Sequence, residues 1–168
     1  MNIRRGNLRD LPTVQRFNQA LFEYEHDSRF YEGDTFNLNW PYEADGIKYF
    51  TECLDESPGA ALFLAEDDGR AIGYLAASYY SRSYRTVNPI GYLDTLYVAE
   101  PARGRGVGTA LIAAFKEWAA YHKVEQVRVS ACALNRHALA FYHKNGFTDL
   151  DIVMEQPLPG ASKVTEKS

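Results

Sequence analysis

The stretch from Ile90 to Tyr121 constrains the fold more than any other part of the chain. It opens with an apolar, β-branched and aromatic run, Gly91 to Val98, whose length and composition favour a buried strand over a helix. Pro101 ends this strand, and a glycine-rich loop follows it. Large apolar residues at helical spacing begin directly after that loop: Val107, Leu111, Phe115 and Trp118. The pattern predicts a strand, a glycine loop and a helix, in that order.

The order of these elements favours an anionic ligand at the loop. The first backbone N–H groups of a helix have no intrahelical acceptor and lie at the positive end of its dipole. Glycines, which lack a Cβ, let the backbone approach a phosphate or pyrophosphate closely. The side chains of Arg103 and Arg105 would add positive charge. The alternative is that the glycines only form a tight turn and the arginines are solvated.

Two familiar phosphate loops do not fit these residues. A P-loop requires a lysine followed by Ser or Thr after its last glycine, and none follows here. Gly104, Gly106 and Gly108 have the spacing G-x-G-x-G, whereas the dinucleotide-binding fingerprint is G-x-G-x-x-G with an acidic residue ending the next strand. The next predicted strand, Val124 to Ala133, ends without an acid. Neither a nucleoside triphosphate nor a dinucleotide is therefore indicated.

The loop resembles a known cofactor signature. Arg103-x-x-Gly106-x-Gly108 resembles the [QR]-x-x-G-x-[GA] acetyl-coenzyme A motif of the GNAT (GCN5-related) N-acetyltransferases. A second segment about thirty residues later is similar to the family's N-x-x-A-x-x-F-Y-x-K-x-G-F motif; its matching residues are Asn135, Ala138, Phe141, Tyr142, Lys144, Gly146 and Phe147. Two motifs in the family's order are much more specific than either alone. The resemblance covers roughly Ala60 to Gln156, while the first sixty residues match only in general layout.

The chain in order predicts an α/β domain with a mixed, mostly antiparallel sheet and flanking helices. Asp-Gly in the segment Asp67 to Arg70 predicts a β-hairpin. The crossover from the central strand through its helix to the next strand must be parallel. The resemblance implies that this parallel pair splays apart. We expect one domain over residues 1–156 and a polar, flexible tail over residues 157–168. The predicted strands are Met1–Arg5, Ala60–Ala65, Ile72–Tyr80, Gly91–Val98, Val124–Ala133 and Phe147–Glu155. The first predicted helix begins after a cap at Asp10, and a loop or broken helix is predicted over Tyr24–Tyr42. The other predicted helices cover Ala44–Leu54, Val107 onward and Asn135–Lys144.

Composition excludes several other classes. Hydrophobic content of 46% and charged content of 24% are typical of a soluble globular protein. No apolar run is long enough to span a membrane, and the N-terminus lacks a signal-peptide pattern, so we expect a cytoplasmic location. The net charge of −4 disfavours nucleic acid as a partner. Cys53 and Cys132 have neither disulfide-framework nor metal-site spacing, so no metal is expected.

The resemblance implies acetyl-CoA as the acyl donor. The amides of Arg105 to Thr109 would hold the pyrophosphate, and strand amides near Leu96 and Val98 would bond the pantetheine and polarise the thioester carbonyl. The expected cofactor-binding residues are Leu96, Tyr97, Val98, Arg103, Gly104, Arg105, Gly106, Val107, Gly108, Thr109, Asn135 and Tyr142. Asn135 has a second possible role as the N-cap of its helix.

Asp94 and Tyr142 are the candidate catalytic residues. Asp94 occupies a position where several family members carry an acid, and an aspartate within an apolar strand is costly to bury without a purpose. It would act as general base, directly or through water, or else only accept N–H groups structurally. Tyr142 matches the family tyrosine that donates its proton to the coenzyme sulfur, although it could equally pack in the core.

The acceptor pocket is expected in the first sixty residues and the loop from Ser81 to Pro89. Acids and aromatics between Glu23 and Tyr42 suit a cationic amine, and Glu25, Tyr31 and Asp94 are the candidate substrate-binding residues. The alternative is a solvated acidic loop whose aromatics pack inward or against a second subunit. Arg82 and Arg85 leave room for an acidic acceptor.

The sequence thus predicts an N-acetyltransferase that transfers acetyl from acetyl-CoA to a primary amine in a ternary complex. The expected acceptor is a small cationic amine, such as a polyamine or an aminoglycoside-like amine, or a peptide amino group. By resemblance we expect a homodimer. The alternatives are a non-catalytic acyl-CoA-binding module and a transferase that uses another acyl-CoA.

Overall fold

The fold is taken from a computed structural model, which describes residues 1–31, 36–55 and 57–156. Its strands are β1 (Asn2–Arg5), β2 (Ala60–Asp67), β3 (Arg70–Tyr80), β4 (Ile90–Val98) and β5 (Gln126–Val129). Its helices are α1 (Leu11–Asp27), α2 (Ala44–Leu54), α3 (Val107–Tyr121) and α4 (Arg136–Lys144), with short 3₁₀ turns at Leu8–Asp10, Trp40–Tyr42 and Glu100–Ala102.

The described strands form one sheet in the order β1-β2-β3-β4-β5. Neighbouring strands are antiparallel except for β4 and β5, which are parallel and joined through α3. Parallel neighbours require such a crossover because the end of the first strand and the start of the second lie at opposite ends of the sheet. The predicted mixed α/β fold is therefore confirmed.

Each face of the sheet carries its own hydrophobic core. Alternation along β2 sends Phe63 towards α3 and Leu64 towards α1 and α2, as period-2 side-chain geometry requires. Phe115 fills the α3 side and Phe50 fills the α2 side, both fully buried. Burying a side chain of this size stabilises the fold by about 1.5–3 kcal/mol.

The turn between β2 and β3 confirms the predicted hairpin. Asp67 pairs with Arg70, which leaves Asp68 and Gly69 as the two loop residues. Both have positive φ, 48° and 73° respectively. A two-residue turn with both central φ angles positive matches the twist of the flanking strands, and Asp-Gly adopts it readily.

Helix α1 begins directly after Asp10, which occupies the N-cap position as predicted, but the carboxylate of Asp10 makes no capping hydrogen bond to α1 because it serves another purpose. Asn7 caps the preceding turn by accepting from the Arg9 amide, and Asp10 makes no cap to α1. Both oxygens of Asp10 accept from the Arg4 guanidinium at 2.8 Å, and Arg4 also donates to Glu66. This network joins β1, the start of α1 and β2.

Three elements differ from the sequence prediction by more than two residues. Helix α1 continues to Asp27, because Tyr24 packs edge-on against Phe30 and supports the last turn. Strand β5 is shorter than predicted. The predicted last strand is wrong: among the described residues, those from Phe147 to Glu155 pair with no strand, and the side chains of Ile152 to Met154 are 87–94% exposed. The predicted tail, residues 157–168, lies outside the described residues.

None of the helices within residues 1–31, 36–55 and 57–156 combines the length and apolar character that a membrane crossing requires.

Candidate active site

The pairing of β4 with β5 ends halfway along β4, and we call the space beside the unpaired part of β4 the cleft. Their parallel pairing runs from Ile90 opposite Gln126 to Leu93 opposite Val129 and stops there. Strand β4 continues to Val98, so its edge from Asp94 onward faces no other strand in the part of the chain that the structure describes. The predicted splay of the parallel pair is confirmed. Unpaired strand amides at such an edge can bind an extended ligand.

Beside this cleft, the loop before α3 forms a cradle of free backbone donors. The Arg103 amide still donates to Glu100 O, and the Ala110 amide donates to Gly106 O at 3.0 Å. Between them, the amides of Gly104 to Thr109 donate to no acceptor among the described residues. We call this set, Gly104 to Thr109, the amide cradle. Such donors at a helix N-terminus favour an anion.

Two glycines of the amide cradle have backbone conformations that other residues adopt at a cost. Gly104 has φ 75° and Gly106 has φ 82°. A Cβ placed on either would meet nothing within 4 Å, so the space in front of both is open. Glycine is therefore favoured at both positions by the backbone conformation and not by packing, and the open space is available to a ligand.

Gly108 has a different reason for being glycine. A Cβ there would lie 2.8 Å from the ring of Phe141, which packs against the first turn of α3. The second sequence motif thus touches the first through the contact between α4 and α3. The side chain of residue 108 is restricted by packing, while its amide remains in the cradle.

The two loop arginines direct their side chains away from the amide cradle. Arg103 donates through Nε to Val98 O at 3.0 Å, and its guanidinium lies 5.3 Å from the Tyr24 ring. Arg105 donates to Asp67 at 2.7 Å in the β2–β3 hairpin. These contacts fix the loop at both ends. The cradle itself is built from main-chain groups.

The other candidate cofactor residues contribute backbone groups next to the cleft. The side chains of Leu96 and Val98 pack into the α3-side core, while Tyr97 packs against Phe17 on the opposite face. Val107 is buried, and Thr109 is exposed. Asn135 caps α4 by accepting from the Ala138 amide at 3.0 Å, so the capping role is observed.

Asp94 is presented by a β-bulge. Leu93 pairs with Ala77 and Thr95 pairs with Ala76, which leaves Asp94 as the extra residue of β4. Its carboxylate accepts a hydrogen bond from the hydroxyl of Ser78 and one from the hydroxyl of Tyr49, each at 3.1 Å. These donors come from β3 and α2, so Asp94 faces the side of the sheet that carries α1 and α2.

The electrostatic environment of Asp94 suits a proton acceptor. The side chain of Asp94 is exposed to solvent, while hydroxyl groups of Ser78 and Tyr49 contact its carboxylate from the protein. Desolvation raises its pKa above the ordinary value, while the hydrogen bonds from Ser78 and Tyr49 oppose that rise. A carboxylate with a raised pKa is a better general base than a fully solvated one.

Both donors to Asp94 also line a cavity. It has a volume of about 410 Å³ and lies between the end of α2 and the end of β3. Tyr49, Cys53 and Glu52 form its α2 wall, and Ser78 forms part of its β3 wall. This volume lies in the range of small-molecule sites.

Tyr142 lies on α4 with its phenol protonated over the neutral range. Its ring contacts Phe141 and Phe147, and its hydroxyl has no hydrogen-bond partner within the described residues. Desolvation by burial, with a smaller contribution from the charge of Glu25, raises its pKa to about 12. A protonated phenol without a partner can donate to a ligand atom.

The predicted substrate-binding residues come from α1, from the segment that follows α1 and from β4. Glu25, half-buried on α1, interacts electrostatically with Tyr142, and burial raises its pKa. Tyr31 contacts the ring of Phe36 edge-on at 5.3 Å. Asp94 instead contacts α2, as described above. Phe22 stacks on Phe36, so several aromatics of this region pack against one another. Glu32 and Asp34 of the predicted acidic cluster lie outside the described residues.

Sequence reasoning missed Tyr49 and Ser78. Ser78 carried a signal, because it is the polar residue that interrupts the apolar run of β3. Tyr49 had no such signal, since an aromatic residue on an amphipathic helix is usually a core residue.

Among the described residues, no three or more His, Cys, Asp or Glu side chains group together as metal ligands would.

A mixed sheet whose parallel pair opens beside an amide cradle is the architecture that the sequence motifs predicted. The model of the acetyltransferase (GNAT) family matches residues 19–147. This chain therefore belongs to the acetyltransferase (GNAT) family and is an N-acetyltransferase.

Sequence relatives with named activities fall into two groups. An N-alpha-acetyltransferase of Sulfurisphaera tokodaii is 31% identical over 121 residues, which cover 68% of this chain and 69% of the relative. The aminoglycoside N(6')-acetyltransferase type 1 of Stenotrophomonas maltophilia is 26% identical over 124 residues, which cover 71% of this chain and 80% of the relative.

Solved structures share the fold at low sequence identity. A mutant of a Bacillus halodurans protein superposes with a TM-score of 0.80 at 24% identity, covering 94% of this chain and 99% of that one. The aminoglycoside N-acetyltransferase AAC(6')-Iy in complex with CoA superposes with a TM-score of 0.69 at 21% identity, and the match covers 94% of this chain and 98% of that one.

Proposed function

We propose that this protein binds acetyl-CoA at the amide cradle and the open edge of β4, and transfers the acetyl group directly to a primary amine in a ternary complex. The observation that carries the proposal is the conjunction of the two features. Six consecutive residues, Gly104 to Thr109, have amides without an acceptor among the described residues. They lie next to the part of β4 that is not paired with β5.

The coenzyme would be held mainly by the backbone. The amides of Arg105 to Thr109 would donate to the pyrophosphate, and the positive end of α3 favours its charge. The edge of β4 near Leu96 and Val98 would bond the pantetheine amides as a further strand does. A donor at the same edge would stabilise the oxyanion that develops when the amine attacks the thioester.

Asp94 and Tyr142 would manage the protons. The attacking amine must lose a proton, and Asp94, with its raised pKa, would accept it directly or through water. The departing thiolate must be neutralised, and the protonated phenol of Tyr142 would donate to it. The proton accepted at Asp94 and the proton given by Tyr142 balance across one turnover through solvent.

The relatives and the cavity support two acceptor classes. Relatives include an aminoglycoside acetyltransferase and an N-alpha-acetyltransferase, so both small-molecule amines and peptide amino groups are candidates. The cavity that Tyr49 and Ser78 line would admit a small primary amine next to Asp94. The sequence-based expectations of a cationic acceptor and of a homodimer stay predictions. A different acyl-CoA donor is the second candidate, because a pyrophosphate cradle does not distinguish acyl groups.

A screen for thiol release tests the proposal. Purified protein is incubated with acetyl-CoA and a panel of primary amines, ω-amino acids and short peptides, and free thiol is measured. We expect amine-dependent release with acetyl-CoA and a thermal midpoint that rises with coenzyme concentration. Release with another acyl-CoA alone would transfer the assignment to that donor. A raised midpoint without release from any amine would contradict amine acetylation.

A further inference from the structure

A cluster of tyrosines and arginines lies at the end of β3, outside the site described above. It contains Tyr80, Arg82, Tyr84, Tyr92 and Arg128, and we call it the Tyr–Arg patch. Two of these residues lie on neighbouring strands with their rings stacked: Tyr80 and Tyr92 have centroids 4.8 Å apart and parallel planes.

The Tyr–Arg patch lies on the same face of the sheet as Asp94. Ser78, which donates to Asp94, is cross-strand partner to Tyr92 and two residues before Tyr80. Tyr79 between them points to the other face, where its ring packs on Trp118 of α3. Alternation along the strand therefore returns Tyr80 to the face of Asp94.

Arg82 is exposed to solvent and makes several contacts within the patch. Its guanidinium donates to the hydroxyl of Tyr84 at 2.7 Å and to that of Tyr80 at 2.8 Å, and it lies 4.9 Å from the Tyr80 ring centroid. Its backbone is fixed as well, because Asn88 accepts from the Arg82 amide and donates to its carbonyl. A charge that is fixed before a ligand arrives loses less entropy on binding.

Arg128 supplies a second cation from β5. It is the parallel partner of Tyr92, so the two side chains share a face. Its Nε is buried and has no hydrogen-bond partner within the described residues. The charge of Arg128 therefore adds to that of Arg82 on this face of the sheet.

The positive charge of the patch is not neutralised by the protein. Neither Arg82 nor Arg128 forms an ion pair with any carboxylate among the described residues, although the whole chain carries a net charge of −4. Hydroxyl groups that already accept from Arg82 keep their own protons to donate. Guanidinium and hydroxyl donors together recognise carboxylate or phosphate oxygens.

We propose that the Tyr–Arg patch is a subsite for an anionic group on the acceptor, so that the substrate is a primary amine that also carries a carboxylate or a phosphate. This rests on the proposed function, because it assumes that the amine reacts beside Asp94. The step of two residues from Ser78 to Tyr80 corresponds to about 7 Å along the strand. An amine and an anion that far apart are separated by about five or six covalent bonds.

The test compares acceptors that differ only in charge at the far end. The probes are 6-aminohexanoate, its neutral amide, 1,6-diaminohexane and an aminoalkyl phosphate of similar length, each with acetyl-CoA. We expect kcat/KM for the carboxylate or the phosphate to exceed that for the neutral amide by roughly fivefold or more, mainly through KM. The relative rates of the two acids identify which anion the site prefers.

Substitutions then locate the effect. Arg82→Gln should remove the advantage of the acidic acceptor over the neutral amide, measured as the ratio of their kcat/KM values within the same variant. Tyr80→Phe, which removes a hydroxyl that holds Arg82, should reduce the advantage in part. Arg16→Gln is the matched control, since Arg16 is an exposed arginine on α1 that contacts Thr13. Thermal midpoints confirm that each variant is folded.

Failure of the subsite and failure of the proposed function give different results. Acetylation of all neutral, cationic and anionic probes with equal kcat/KM would overturn the subsite and leave the function standing. An advantage for acids that survives Arg82→Gln would overturn it too. Absence of thiol release with every amine, despite coenzyme binding, would instead contradict the proposed function.

Discussion

The hydroxyl of Tyr49 should tune the pKa of Asp94, and removing it should move the pH profile. Tyr49→Phe deletes the 3.1 Å hydrogen bond to the carboxylate and keeps the ring in place. Hydrogen bonds to charged groups contribute about 1.5–3 kcal/mol, and the solvent access of Asp94 reduces this to about 1 kcal/mol. Because the bond stabilises the ionised form, its loss raises the pKa of Asp94 further above its ordinary value, and a loss of about 1 kcal/mol lowers the ratio of ionised to protonated Asp94 roughly fivefold at a given pH.

The assay is the pH dependence of kcat/KM from thiol release, with each rate divided by the fraction of acceptor present as free amine. Asp94 must be ionised to accept a proton, so its higher pKa moves the acidic limb of the profile to higher pH. Ser78→Ala should move the limb in the same direction, because Ser78 is the other donor. Tyr42→Phe is the control, since that hydroxyl contacts Gln19 instead. An acidic limb that stays in place in Tyr49→Phe, or a rate that falls by one factor at every pH, would refute the reasoning.

Three further changes test other parts of the structure. Gly108→Ala should lower the unfolding free energy, measured by urea denaturation, by about 1–3 kcal/mol, because its Cβ would meet the Phe141 ring. The loss should be smaller in a Phe141→Leu background, and equal losses in the two backgrounds would contradict the packing. Asp10→Asn should lower stability by about 1–2 kcal/mol at pH 7. Arg4 holds the pKa of Asp10 below its ordinary value. The stabilisation is therefore present above the unfolded pKa of about 3.9 and is lost as pH falls through the lower folded pKa. A stability difference between Asp10→Asn and the unsubstituted protein that stays the same in acid would contradict the ion pair. Tyr142→Phe should lower turnover roughly a hundredfold while coenzyme affinity, measured by calorimetry, stays within about twofold, and unchanged turnover would remove Tyr142 from the mechanism.

The local order of elements was readable from the sequence because it depends on near neighbours. The apolar run of β4, the positive-φ glycines and the helical spacing of α3 each leave a pattern within a few residues. The same holds for Asp68 and Gly69 in the hairpin. Even the cleft followed from the motifs, since the family they resemble is built around a splayed strand pair.

Side-chain roles were less predictable because they depend on distant contacts. Arg105 looked like a ligand for an anion, yet it pairs with Asp67, thirty-eight residues away in sequence. Tyr49 contacts Asp94 across forty-five residues. The segment from Phe147 has the composition of a strand but lacks a partner among the described residues, and composition alone does not provide one.

The central claim is that the backbone of the amide cradle binds the coenzyme, and one calorimetric comparison tests it most directly. Gly106→Ala places a Cβ in the open space in front of the cradle at φ 82°, and Gly69→Ala places one in open space at φ 73° in the β2–β3 hairpin. Both variants carry similar backbone strain, about 1 kcal/mol. The account predicts that CoA binds roughly tenfold or more weakly to Gly106→Ala and with unchanged affinity to Gly69→Ala. Equal affinities of the two variants and the unsubstituted protein would contradict it.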